Sequence, residues 1–377
     1  MLYYFHMAWF GGTKTKSFLG VDIGASSIKV VELGLEKGRP KLLTYGYSER
    51  REVTGAPSPF DDVQGTGKLL ARVCKEAGVK STRAMTALPT SGVFSTILTL
   101  PYRKEKRDMQ ALVDIETAKL TPLPLEQMVT YSTYLDDLGK KNVPFQKKEA
   151  APQVKLPEAE EKKLTHVLVT GAAKTLVQKY VEIFNVAKLE LQAIDTEAFS
   201  LVRSLVGKDR SATLIIDMGS KRTNLILVER SIPFLSRSIN IGGDTITARL
   251  QEQMQFSPEE AERMKRDLGG SSTSGEKLPP LLEPFMHALL NEIRYALQLF
   301  ASMEMTQQKN IEKIILTGGS AHLPGAGDFL ANALNLNVYR GDPWARLSYP
   351  EPLRPVLDDI GPRMSVTVGL AMRDLDS

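Results

Sequence analysis

The chain repeats itself once. Leu19-Gly20-Val21-Asp22-Ile23-Gly24 and Leu214-Ile215-Ile216-Asp217-Met218-Gly219 share one pattern, an apolar strand ending in Asp-x-Gly, and lie 195 residues apart. In both copies small or polar residues follow, and a second apolar run begins, Ile28–Leu33 in one and Thr223–Glu229 in the other. A pattern repeated once per half predicts two similar lobes facing each other. The turn has a chemistry of its own. Glycine after the Asp lets backbone N–H groups approach an anion closely, and nearby Ser or Thr adds hydroxyl donors. An Asp at the strand end is placed to hold magnesium, directly or through water. Two such turns from opposing lobes would clamp one polyphosphate.

Strands and helices alternate around these turns, which implies α/β layers. In the first half the pattern predicts strands at Phe18–Asp22 and Ile28–Leu33, a helix over 66–77 with Gly78 after it, and a strand at Gly92–Leu100. A helix at Lys104–Leu120 and a strand at Val129–Leu135 follow, then a charged, proline-containing solvated loop at 139–163. A strand at His166–Thr170, a helix carrying Leu176, Val177, Tyr180, Val181 and Phe184, and a strand at Leu189–Asp195 complete it. The second half predicts strands at Thr213–Asp217, Thr223–Glu229 and Ile232–Ile239, and helices from Asp244. Ser257-Pro258-Glu259-Glu260 has the cap, N1 proline and capping-box glutamate of a helix start. A long amphipathic helix is expected over Leu278–Gln307, then a buried strand at Ile311–Leu316 ending in Gly318-Gly319. Gly65-Thr66-Gly67-Lys68 fails as a P-loop, because position 62 is Asp and Leu69 stands where Ser or Thr would ligate magnesium.

Composition removes several classes. At 377 residues the chain has room for two to three domains. One cysteine, Cys74, allows no internal disulfide, and the four histidines lack metal-ligand spacing. A net charge of +4 is too balanced for a nucleic-acid binder. No apolar run approaches the ~18 residues that span a bilayer. Residues 1–16 read as a lead-in, with Met7 as the natural start and Met1–His6 upstream of it.

With these residues in view, the sequence resembles the actin, Hsp70 and sugar-kinase ATPases. Ser17–Leu33 and Leu214–Val228 look like that superfamily's two phosphate loops, and Ile-Ile-Leu-Thr-Gly-Gly-Ser-Ala (314–321) like its adenosine motif. The resemblance assigns phosphate contacts to Gly24, Ala25, Ser26, Ser27 and Lys29, and to Gly219, Ser220, Lys221 and Thr223. It assigns adenosine contacts to Gly243, Glu262, Lys265, Arg266, Gly318, Gly319 and Ser320. Magnesium falls to Asp22 and Asp217. Glu197, in the crossover between halves, is the candidate for orienting water, with Asp217 as a second catalytic candidate. Glu197 reads equally well as a helix-capping residue, and Asp195–Thr196 as caps themselves.

A narrower resemblance runs from about residue 17 to the end. Phe-Leu-Gly-Val-Asp-Ile-Gly-Ala-Ser-Ser-Ile-Lys-Val-Val-Glu-Leu (18–33), Leu88-Pro89, Leu-Thr-Leu-Pro (98–101), Thr-Pro-Leu-Pro-Leu-Glu (121–126), Asp195–Phe199, Ile-Gly-Gly-Asp (241–244) and His322-Leu323-Pro324-Gly325 are similar to the PilM family of type IV pilus assembly proteins. This implies an actin-like, ribonuclease-H-like duplicated α/β fold with an insert of the kind found in FtsA. Domain 1A would be 17–87 with 165–208, the insert 88–164, and the second half 209–377. It implies ATP and Mg2+ as cofactors; no glutamine of the actin kind can be placed to orient a water, so slow or negligible hydrolysis is expected. The implied partner is the N-terminal cytoplasmic tail of the inner-membrane protein PilN, an extended peptide between domain 1A and the insert. Thr90, Phe94, Asp114 and Lys119 are its candidate contacts, and ordinary packing accounts for them equally well. Other platform proteins, motor ATPases and self-association also follow from the resemblance, as does a cytoplasmic place at the inner membrane without direct insertion. Two other functions fit the same fold. A small-molecule kinase needs a substrate pocket and a base, for which only Asp217 offers itself. An FtsA-like filament ends in an amphipathic membrane helix, whereas the last residues here, 371–377, are Ala-Met-Arg-Asp-Leu-Asp-Ser.

Overall fold

Near-continuous apolar runs such as Leu214–Ile216 and Leu225–Val228 belong to strands covered on both faces. The computed structural model describes residues 2–6, 17–49, 58–135, 164–270, 277–303, 306, 310–373 and 375, and the expected loop at 139–163 lies outside them. The chain divides into two compact units, Met1–Ser91 with Gln178–Ser377, and Gly92–Val177.

The first unit opens with β1 (Leu2–His6), β2 (Phe18–Ile23), β3 (Ser27–Glu36) and β4 (Arg39–Glu49). Helix α1 (Val63–Glu76) starts where Asp62 accepts a hydrogen bond from the Gly65 amide, and β5 (Arg83–Leu88) then runs parallel to β2. The chain passes through the second unit: β6 (Val93–Pro101), α2 (Lys106–Ala118), β7 (Met128–Tyr134) and β8 (Leu164–Ala173). It resumes with α3 (Lys174–Val186), β9 (Glu190–Thr196) parallel to β5, α4 (Glu197–Leu201) and a π-helical turn at Val202–Val206. The later part comprises β10 (Thr213–Met218), β11 (Thr223–Glu229), β12 (Ile232–Ile239), α5 (Gly243–Met254), α6 (Pro258–Gly270) and α7 (Glu283–Ser302). It closes with β13 (Lys313–Thr317), α8 (Ala326–Leu334), β14 (Asn337–Arg340) and α9 (Arg354–Ala371).

The repeat seen in sequence is a repeat of topology. One sheet has the order β1-β4-β3-β2-β5-β9 and the other β12-β11-β10-β13-β14, so each has an antiparallel β-meander followed by two parallel strands. Registers coincide as well: Asp22 faces Lys29 across β2–β3, and Asp217 faces Asn224 across β10–β11. Alternation along β10 and β11 sends Leu214, Ile216, Leu225 and Leu227 into the core of the second lobe. Ile215, Ile226 and Val228 join a different cluster with Met85, Ala87, Leu201, Val366 and Leu370. That shared cluster, on which α9 lies, ties the two sheets into one body.

The second unit is a three-stranded sheet, β6-β8-β7, with Leu98, Leu100, Val167 and Val169 packed against Met109 and Val113 of α2. Its central strand β8 extends to Ala173, so the unit continues to Val177.

Two expectations need correction. Residues 2–6 are not merely a lead-in, since β1 pairs antiparallel with β4 from Leu2 opposite Ser48 to His6 opposite Thr44. The helix expected over Leu278–Gln307 is shorter. Proline has no N–H to donate and is tolerated only in a first turn, so Pro279 and Pro280 confine Pro280–Leu282 to a 3-10 turn and α7 starts at Glu283. At its other end Met303 is extended. The capping box is formed: the Ser257 amide and hydroxyl donate to Glu260 Oε2 at 2.9 and 2.7 Å, and the Glu260 amide returns to Ser257 Oγ at 3.3 Å.

Candidate functional site

The two Asp turns are built alike. Gly24 N–H donates to Ser27 O at 2.9 Å, and Gly219 N–H donates to Arg222 O at 2.9 Å, closing each hairpin just beyond its Asp. The residues facing the two Asp differ. Lys29 Nζ lies 2.7 Å from Asp22 Oδ2. At the matching position Asn224 Nδ2 donates to Asp217 Oδ2 at 3.2 Å and to Glu197 Oε2 at 3.1 Å.

Glu197 is the first residue of α4, and the helix cap is its neighbour: Thr196 Oγ1 accepts from the Phe199 amide. Asp195 accepts from the Thr196 amide and pairs with Arg203. Glu197 therefore does not cap this helix. Its Oε2 also accepts from the Thr90 amide at 2.7 Å and the Thr90 hydroxyl at 2.9 Å. Thr90, assigned above to a partner peptide, is instead buried in the first unit with both donors turned onto Glu197.

Three carboxylates, Asp22, Asp217 and Glu197, thus share one region with the cation Lys29. Burial, then Asp217 and Asp22, push Glu197 up to about 8, while the two Thr90 bonds pull the other way. Burial also raises Asp217, to about 6, against the opposing pull of Lys29. Both remain partly accessible at the surface. Replacing Thr90 by Val removes the hydroxyl donor but keeps the amide. Glu197 should then titrate still higher, as a carboxyl-carbon NMR titration would read.

The second lobe supplies a cradle beside Asp217. Gly243 N–H donates to Gly219 O at 2.9 Å and Asp244 N–H to Ser220 O at 2.8 Å, docking the start of α5 on the turn. Thr223 Oγ1 donates to Ile241 O. Lys265 Nζ reaches Glu262 Oε2 at 2.6 Å, Thr247 Oγ1 at 2.9 Å and Gly243 O at 3.3 Å, and Arg266 Nε meets Glu262 Oε1 at 3.2 Å. Burial opposes the charge on Glu262, yet Lys265 beside it, with Thr247 and Arg266, holds its carboxyl below the usual range. Ser320 N–H donates to Met218 O at 3.0 Å, which brings the end of β13 alongside β10.

The structure therefore gathers Asp22, Gly24, Ser27 and Lys29 on one hairpin, with Ile23 opposite Ile28 beside them. Asp217, Gly219, Ser220, Thr223, Gly243, Glu262, Lys265, Arg266, Gly318 and Ser320 come together on the other lobe. Ala25, Ser26 and Lys221 lie in the two turns, Lys221 exposed. Gly319 has open space around it. Phe94, Asp114 and Lys119 belong to the second unit, where Asp114 accepts from Gln110 and Lys119 pairs with Glu116. Sequence reasoning missed Asn224 and Thr247. Extending the 195-residue comparison by five positions, from Gly24 and Gly219 to Lys29 and Asn224, would have found the first.

The donor set suits magnesium held with phosphates. No three His, Cys, Asp or Glu among the described residues could hold a metal by themselves. Magnesium in such sites needs only one or two carboxylates and keeps several waters. Asp22 and Asp217 are hard oxygen donors with excess negative charge around them, which a divalent cation would relieve.

Paired sheets of one topology, each offering an Asp hairpin to a common site, define the actin-like ATPase fold. The chain belongs to the type IV pilus assembly protein PilM family, whose model matches residues 20–375. It is similar to the solved PilM-PilN type IV pilus biogenesis complex, with a TM-score of 0.76 at 22% identity over 95% of this chain and 98% of that one. It also resembles the ethanolamine utilization protein EutJ from Carboxydothermus hydrogenoformans, with a TM-score of 0.53 at 13% identity over 96% and 91% of the chains. The cell division protein FtsA of Bacillus subtilis is 23% identical over 195 residues, 47% of this chain and 44% of that protein. The match thus spans less than half of that curated relative. No helix among the described residues is long and apolar enough to cross a membrane.

Proposed function

We propose that this chain is a nucleotide-dependent scaffold of type IV pilus assembly, binding ATP with magnesium in the first unit and the cytoplasmic tail of PilN as its membrane partner. One observation carries the nucleotide reading: two hairpins of the same register bring Asp22 and Asp217 into one carboxylate cluster with Glu197. The turns at 24–27 and 219–222 would hold the phosphates through backbone N–H groups, and Lys29 through its charge. Gly243, Glu262, Lys265 and Ser320 line the place for adenosine. Magnesium would supply neutralisation of phosphate charge beside Asp22 and Asp217.

Glu197 is fixed by three donors that all converge on Oε2, so Oε1 is the oxygen available to orient a water. A carboxyl pushed up to about 8 is largely protonated at neutral pH and a weak base there. Slow hydrolysis is the consequence, which suits a scaffold better than a kinase.

Asp22→Ala and Asp217→Ala should each abolish the thermal stabilisation given by ATP and magnesium, which for wild type grows as RT ln(1 + [L]/Kd). Thermal shift with increasing ATP checks this. Wild-type shifts in both variants would move the site elsewhere.

The partner reading rests on membership of the PilM family and on the likeness to a solved PilM-PilN complex. Extended peptides gain affinity from backbone hydrogen bonds and specificity from side-chain pockets. We place the tail on the second unit, with Phe94, Asp114 and Lys119 as contacts. Calorimetry with a synthetic tail should show Asp217→Ala binding as wild type does and Phe94→Ala with Lys119→Glu binding at least tenfold more weakly. Undiminished binding by the double variant would take those residues out of the interface. Residence at the inner face of the inner membrane would then come through PilN.

A further inference from the structure

We propose that the segment Pro101–Arg107 at the start of α2 is a docking surface for anionic phospholipid headgroups. Every residue of Pro101-Tyr102-Arg103-Lys104-Glu105-Lys106-Arg107 is exposed, and four of the seven are cations. None of Arg103, Lys104, Lys106 and Arg107 pairs with a carboxylate among the described residues.

Helix stability does not explain them. Cations favour the C-terminal end of a helix and anions the N-terminal end. In α2 the order is largely reversed, with Lys106 and Arg107 beside Asp108 in the first turn and Asp114 and Glu116 toward the end. Glu105 stands at the N-cap position but makes no side-chain capping bond. The cations therefore repel one another and oppose the helix dipole, a cost that an external anionic surface would offset.

The flanks favour lipid over an acidic protein. Tyr102 is 49% exposed, and Leu164, opposite Pro101 in the β6–β8 register, is 52% exposed. An aromatic and a leucine beside a polybasic run are what settles at a headgroup boundary. Four long, flexible cations within five residues also suit a diffuse layer of charge better than a fixed set of carboxylates. No helix among the described residues could supply a span instead. One polybasic patch gives reversible association, and stable residence takes a second signal. The contact is with headgroups and involves no insertion of the chain. It does not depend on the nucleotide reading.

Co-sedimentation of the full chain with vesicles tests it, comparing phosphatidylglycerol–phosphatidylcholine mixtures with pure phosphatidylcholine. We expect binding to the anionic vesicles only, weakening steeply as salt is raised. Each cation near the surface contributes roughly a fivefold factor. The variant Arg103→Glu, Lys104→Glu, Lys106→Glu, Arg107→Glu should thus lose well over a hundredfold. A control with the same change in net charge, Lys37→Glu, Arg39→Glu, Lys68→Glu, Lys75→Glu, should bind within about threefold of wild type, and both variants should keep the wild-type circular dichroism spectrum. Equal loss in the two variants would assign binding to overall charge and overturn the site. No salt-sensitive binding to anionic vesicles by wild type, the result expected if an acidic protein were the partner, would overturn the lipid assignment.

Discussion

Gly318→Val should unfold the second lobe or cost it about 2–5 kcal/mol, the sum of a left-handed backbone penalty and overpacking. Gly318 has φ +87°, and a Cβ there would lie 2.5 Å from Met218 O and 2.6 Å from Asp217 Oδ1. Asp217 is tied through its other oxygen, Oδ2, to Asn224. Met218 O accepts the Ser320 amide, and the Gly318 amide itself donates to Pro362 O of α9 at 3.0 Å. The glycine exists so that the end of β13 can pass against the Asp217 strand end. Gly319 has nothing within 4 Å, so Gly319→Ala should leave unfolding by urea unchanged. A Gly318→Val protein as stable as wild type would show that the close approach is not maintained in solution.

The second large effect is on pH. Glu197 titrates near 8 and Asp217 near 6 in the folded chain, both above the ordinary carboxylate range. The folded protein therefore keeps protons that the unfolded chain has lost, and stability falls as pH rises through that interval. The loss starts near the unfolded carboxylate values, about pH 4, and is complete above about pH 8. Because both groups are partly accessible, the total is a few kcal/mol, on the order of 5 °C in melting temperature between about pH 5 and about pH 9. Glu197→Gln removes the larger share and should flatten the curve. A divalent cation with ATP favours the ionised carboxylates, so its stabilising effect should grow with pH. Thermal scans across this range, with and without ATP and magnesium, check both signs. A wild-type melting temperature that rose between pH 5 and pH 9 would remove the buried-carboxylate cluster from the account.

Much of this molecule was legible before any coordinates. Short apolar and β-branched runs placed β11 and β12 at their observed bounds, and the Ser257–Glu260 box marked the start of α6. These depend on contacts within a few residues, or on a period of two along a strand. The internal repeat went further. Because Asp22 and Asp217 each end a strand and precede a glycine turn, their equivalence could be read directly, and the shared register of their hairpins follows from it.

Tertiary structure alone decided which neighbours those residues have. Thr90 and Glu197 are 107 positions apart, and no local pattern could say that both Thr90 donors would close on that carboxylate. Asn224 looked like an ordinary strand residue until it proved to bridge Glu197 and Asp217. Residues 2–6 carry no motif, yet β4 offered an open edge for them to pair with. A short-range pattern determines strand, turn and cap because its energy comes from adjacent backbone and side chains. The carboxylate cluster, its raised pKa values and the partnering of Lys265 come from desolvation and charge between segments far apart in the chain, which exist only once the two lobes have packed on α9.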